Sequence, residues 1–161
     1  MNLIEMGPEW GFFVFIGLLV VAAVQDAWQL KISNFIVGGV LLAGVVIAVL
    51  AGPEWSLWQN AAMMVAMLVV GTFLFSAGWM GGGDVKLLAA SLFWFDAAGG
   101  AQMLIVTAIA GGILTMALMG LRIVFGKVGG IGALRKGGGM PYGIAIAVGG
   151  ALTAWWQTLP A

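Results

Sequence analysis

Cysteine and histidine are both absent from the 161 residues. Without cysteine there are no disulfides, no thiolate zinc sites and no thiol nucleophile. Without histidine, Ser-His-Asp triads, HExxH zinc sites and imidazole proton shuttles are excluded as well. Charge is scarce too: six Lys or Arg and six Asp or Glu cancel to a net charge of zero. No net field draws nucleic acid to the chain, and the position of each charge matters more than the sum. Any chemistry falls to carboxylates, lysines, hydroxyls or backbone groups.

What is abundant is apolar. A hydrophobic fraction of 63% and a mean hydropathy of +1.14 describe a membrane protein. Residues 1–9 carry Glu5 and Glu9 and no basic residue, unlike a signal peptide, so the segment reads as retained. Apolar runs at about 10–25, 35–51, 61–80, 85–98, 103–121 and 142–159 predict six transmembrane helices in one all-α domain over 1–161. The runs are continuous rather than alternating, which argues against a membrane β-barrel.

Six crossings put every basic residue on one side: Lys31, Lys86, Arg122, Lys127, Arg135 and Lys136. Glu5, Glu9, Glu54 and Asp96 fall on the other. The basic side is then cytoplasmic and both termini lie outside the cytoplasm. Trp10, Trp55, Trp58, Trp155 and Trp156 fall at the outer interface, where indoles are favoured. Residues 135–143, RKGGGMPYG, read as a basic loop on anionic lipid, with Pro141 in the first turn of the last helix and Tyr142 as an interfacial aromatic.

Two acids break the pattern. Asp26 closes the first helix and Asp84 opens the fourth, so both belong to the basic side and can meet. An ordinary turn accounts for part of this: Asp84 in MGGGDVK would N-cap its helix, and Asp26 in QDAWQLKISN would pair loosely with Lys31. The helix at 85–98, however, reaches only roughly 21 Å against a hydrocarbon core of ~30 Å. Either the bilayer thins there or Asp84 sits below the lipid surface, where glycine-rich irregular backbone needs protein or a water-filled cavity around it. Two carboxylates held close cannot both ionise cheaply, so they share a proton and can perform aspartic protease chemistry. A Ser33–Lys31 dyad has no second feature in its favour, since a surface turn keeps Lys31 protonated.

Three blocks carry a family resemblance: D-x4-K-I-S-N (Asp26, Lys31, Ile32, Ser33, Asn34), G-x-G-D-x-K (Gly81, Gly83, Asp84, Lys86) and M-P-Y-G-I-A-I-A from Met140 to Ala147. Together they resemble the type IV prepilin peptidases and, among these, the short tight-adherence (Flp) pilus group. The resemblance implies an aspartic endopeptidase of the bacterial inner membrane. It would remove the leader of prepilins or pseudopilins at the cytoplasmic face, alongside pilus assembly machinery, with Asp26 and Asp84 as the catalytic pair. Family substrates have basic leaders ending in glycine before an apolar helical stretch. Lys31, Asn34, Gly81, Gly83, Lys86, Pro141, Tyr142 and Gly143 would shape the site or bind substrate, with no metal and no cofactor. Ser33 stands where the family usually has proline. The paired-cysteine zinc segment of larger members is absent, so cleavage without methyl transfer is expected. Two other classes stay open: a small proton- or ion-coupled transporter using the same aspartates, and a non-catalytic assembly partner.

Overall fold

The computed structural model describes residues 1–125 and 139–159, and every regular element among them is helical. In chain order these are α1 (Leu3–Met6), α2 (Glu9–Gln29), α3 (Asn34–Ala51), α4 (Leu57–Ser76), α5 (Gly82–Leu92), α6 (Ala97–Phe125) and α7 (Tyr142–Gln157). Lys127, Arg135 and Lys136 lie outside the described residues.

Four helices are long and apolar enough to cross a membrane: α2, α3, α4 and Ala97–Leu121 of α6. Their outward faces carry large apolar side chains, among them Phe13, Phe35, Phe73 and Met116, all exposed. A face of this kind suits lipid and not water. The chain is an all-α, multi-pass membrane protein. The expectation of six full spans needs correction, because α5 has 11 residues and α7 has 16. At 1.5 Å per residue these reach roughly 16 and 24 Å, short of a ~30 Å core.

The helix expected at 85–98 begins at Gly82 and stops at Leu92. It stops because the chain tightens: the Trp94 and Phe95 N–H groups donate to the Ser91 and Leu92 carbonyls. Asp96 Oδ1 then accepts the Gly99 N–H at 2.8 Å and caps α6, so 99–102 are helical where the sequence predicts a connection. Gly99 and Gly100 leave room for Gln157 and Met63.

Short α5 is the centre of the bundle, packed against α3, α4 and α7, and its residues from Leu87 to Leu92 are buried on every side. Glycine lets the neighbours approach: a Cβ at Gly71 of α4 would collide with Val85, and one at Gly44 of α3 would lie 3.0 Å from the Trp94 indole nitrogen. Trp94 is fully buried, donates to the Val40 carbonyl at 3.0 Å and stacks against Phe15 with ring centroids 4.7 Å apart.

The bundle has two unlike ends. Glu5, Glu9, Glu54 and Asp96 gather at one, near exposed Trp10, Trp55, Trp58, Trp155 and Trp156. The other holds the 30–33, 77–81 and 139–141 connections, together with Lys31 and Lys86.

Candidate active site

Asp26 lies in the last turn of α2, where Leu30 ends the helix in the left-handed conformation (φ 52°) and donates its N–H to the Asp26 carbonyl at 2.8 Å. A leucine pays for that backbone with steric strain. The sharp reversal returns 31–33 across the end of α2, where Gln25 Oε1 accepts the Ser33 N–H at 2.8 Å. Ser33 Oγ in turn accepts the Phe35 N–H and caps α3. Ile32 presses on Gly83, where a Cβ would be 3.2 Å from the Ile32 Cβ.

Asp84 enters from α5. It was expected to cap that helix, but Gly81 holds the N-cap position and Asp84 sits three residues further on, its carboxyl accepting the Gly81 N–H. This is the reach-back half of a capping box. A Cβ at Gly81 would stand 2.7 Å from Asp84 Oδ2, so the bare backbone is what lets the carboxyl fold back.

The third contribution is α7. Pro141 precedes it, and Gly143 donates its N–H to Asp26 Oδ2 at 2.8 Å. A carboxylate from α2 thus occupies the positive end of another helix. A Cβ at Gly143 would lie 3.0 Å from that oxygen. Tyr142 is not merely interfacial: its hydroxyl packs on Gly111 and ties α7 to α6.

Asp26 and Asp84 are 4% and 8% exposed, and both open onto the same two cavities. One, of about 250 Å3, is lined by Leu30, Lys31, Ile32 and Gly81, Gly82 and Gly83. The other, of about 420 Å3, is lined chiefly by Trp79, Met80, Met140 and Tyr142. Asp84 lies outside the four long spans. Burial, and then the neighbouring Asp26 charge, push its carboxyl up to about 7 against the pull of the Gly81 N–H. Asp84 therefore keeps its proton in part of the molecules near neutral pH.

A larger cavity, about 530 Å3, lies at the opposite end between α1, α2 and the end of α7, and an apolar groove of about 360 Å3 runs between α6 and α7. Neither brings two buried ionisable groups together, so volume alone is a poor guide here.

Of the residues singled out in the sequence, Asp26, Lys31, Gly81, Gly83, Asp84 and Tyr142 line these two cavities. Gly143 and Pro141 set α7 against Asp26. Asn34 and Lys86 line neither cavity and instead bond each other, Nζ to Oδ1 at 3.1 Å. Sequence reasoning missed Gln25, Leu30 and Trp79, and gave Met140, which opens the third block, no role. Gln25 carried a signal, a polar residue directly before the acid at the end of an apolar run; Leu30 and Trp79 carried none.

The family model for the type IV leader peptidase family matches residues 13–116, more than half of the chain. The chain belongs to the type IV leader peptidase family. The matched segment contains both carboxylates and the glycines at 81–83, while α7, which supplies the Gly143 N–H, follows it. No curated protein and no solved structure matches the chain.

Proposed function

We propose that the protein is an aspartic endopeptidase that cleaves the leader from prepilins or pseudopilins, with Asp26 and Asp84 as its catalytic pair. The observation that carries the reading is the opening of two buried carboxylates, from α2 and α5, onto the same cavities in a leader peptidase family member. Lys31 and Lys86 at this end favour the cytoplasmic face of a bacterial inner membrane as its location.

In the proposed reaction Asp84 holds the pair's proton and Asp26 its negative charge. A water between them gives a proton to Asp26 as its oxygen attacks the scissile carbonyl carbon, and Asp84 donates to the carbonyl oxygen. The resulting diol collapses: the C–N bond breaks, Asp26 passes its proton to the departing amine, and Asp84 recovers one from a diol hydroxyl. The pair ends as it began. The bare backbone at 81–83 lets an extended peptide lie close to Asp84. The apolar stretch after the cut remains in the membrane while the leader leaves toward water.

Purified protein in detergent, given a leader-bearing prepilin, tests this. Asp26→Asn and Asp84→Asn should each abolish cleavage while insertion and elution volume stay normal. Full cleavage by either variant overturns the assignment. The transporter alternative draws no support from the family relationship.

A further inference from the structure

An acid and a base can work on one water only while the segments that carry them keep a fixed spacing, and here one side chain touches both segments. Ile32 lies between Gly83, which precedes Asp84, and Gly143, whose N–H holds Asp26. A Cβ at Gly83 would stand 3.2 Å from the Ile32 Cβ, and one at Gly143 would stand 3.2 Å from its Cδ1. Ile32 is therefore a wedge, and its place sets how the starts of α5 and α7 lie against each other.

The wedge sits in a strained connection. The reversal between α2 and α3 turns on Leu30 in the left-handed conformation (φ 52°), a backbone that leucine adopts only under constraint. Among the described residues, the N–H groups of 31–33 make one hydrogen bond, from Ser33 to Gln25 Oε1 at 2.8 Å. Gln25 is half-buried and directly precedes Asp26 on α2. One side chain thus ties the far end of the reversal back to the helix that carries the acid.

We propose that Gln25 is a positioning residue: its side-chain oxygen holds the 30–33 reversal closed and so keeps the Ile32 wedge, and through it Asp26 and Asp84, in register for catalysis. The proposal rests on the proteolytic reading of the two aspartates. It adds to that reading a residue that touches neither the substrate nor the reacting atoms.

Ser33 shows what the bond accomplishes. Its φ of −68° is the value at which a proline ring locks the backbone. A proline there would fix the same φ and leave no N–H to satisfy, so the stiffness that Gln25 supplies through a bond would come from a ring instead. The Ser33 hydroxyl has a separate task, accepting the Phe35 N–H at 3.2 Å to cap α3. The N–H of this residue serves placement and its hydroxyl serves helix stability, and the two can be removed one at a time.

The test uses the full chain in detergent with a saturating leader-bearing prepilin, and reads kcat per folded molecule beside the melting midpoint of each variant. Gln25→Met keeps the length of the side chain and loses the acceptor, so kcat should fall about tenfold. Ser33→Pro added to Gln25→Met should bring kcat back to within about threefold of the unsubstituted protein. Ser33→Ala loses the cap but keeps the N–H; it should lower the melting midpoint and leave kcat within about twofold. The positioning role is overturned, with the protease intact, if Gln25→Met keeps full kcat or if Ser33→Pro does not restore it. It is overturned equally if kcat follows the melting midpoint through all the variants, as a purely stabilising bond requires. No cleavage by the unsubstituted protein overturns the proteolytic reading and the positioning role with it.

Discussion

At the end of the bundle that holds α1, Asn60 is fully buried and every bond it makes is internal. Its Oδ1 accepts from the Met1 ammonium at 3.3 Å, and its Nδ2 donates to the Met1 and Phe93 carbonyls at 2.7 and 2.9 Å. The Leu3 N–H reaches the Trp94 carbonyl, and Asn2 bonds Gln157, so α1, α4, the turn after α5 and the end of α7 are tied together. At the other end Asp26 and Asp84 are also buried, though not completely, but each takes a single backbone N–H and opens onto cavity. Buried polar groups that satisfy one another hold helices in register. Buried groups left facing a cavity are held ready for something that enters it. One end is therefore expected to govern stability and the other activity.

The largest effect that separates the ends is on turnover. Asp26→Asn or Asp84→Asn should reduce cleavage by about 10^2–10^4-fold, the usual reach of general acid–base catalysis, with little change in the melting midpoint in detergent. Asn60→Ala should do the reverse. Stranding the buried groups of Met1 and Phe93 costs roughly 2–4 kcal/mol, which appears as a lower midpoint, while the folded fraction turns over at the normal rate. An Asn60→Ala protein that melts normally but cleaves slowly would erase the division.

Gly143→Ala lies on the boundary between the two roles. The added Cβ meets Asp26 Oδ2 at 3.0 Å and the Ile32 Cδ1 at 3.2 Å, so the start of α7 must shift away from the acid. A displacement of this kind costs about 10–100-fold in kcat/KM, because catalytic geometry tolerates little error. The proton on the pair sharpens the comparison further. Asp84, pushed up to about 7, must be protonated to donate, so kcat/KM should fall about tenfold per unit as pH rises above that value. The melting midpoint should instead fall as pH rises from about 4 to about 7 and level off above it, because over that range the folded protein holds the Asp84 proton that the unfolded chain releases. A pH profile flat from 6 to 9 would mean that Asp84 is not the acid.

Much of this architecture is legible from composition and charge. Long apolar runs predict α2, α3, α4 and most of α6, and the one-sided basic residues put Asp26 and Asp84 at a common end before any packing is known. Helix ends are less legible. Residues 99–102, GGAQ, look like a connection because glycine disfavours helix, yet Asp96 caps the helix that contains them and the close approach of Met63 and Gln157 favours small residues there. The left-handed Leu30 has no signature at all, since nothing in its side chain prefers that backbone; the packing of 31–33 over α2 imposes it. The Trp79–Met140 cleft is hidden for the same reason, being assembled from three distant segments.

The smallest effect concerns Lys86, whose place in G-x-G-D-x-K leaves two roles for its charge: touching the reacting peptide, or fastening α5 to α3 through Asn34. The 3.1 Å bond from Nζ to Asn34 Oδ1 is exposed and off both cavities, which favours the latch. An exposed hydrogen bond contributes little, so Lys86→Met and Asn34→Ala should each lower kcat/KM by only about two- to fivefold. The double variant decides between the roles. A latch is already open once either partner is gone, so Lys86→Met with Asn34→Ala should be no slower than either alone. A lysine that reaches substrate makes Lys86→Met much the worse of the two singles, and adding Asn34→Ala then leaves a further loss.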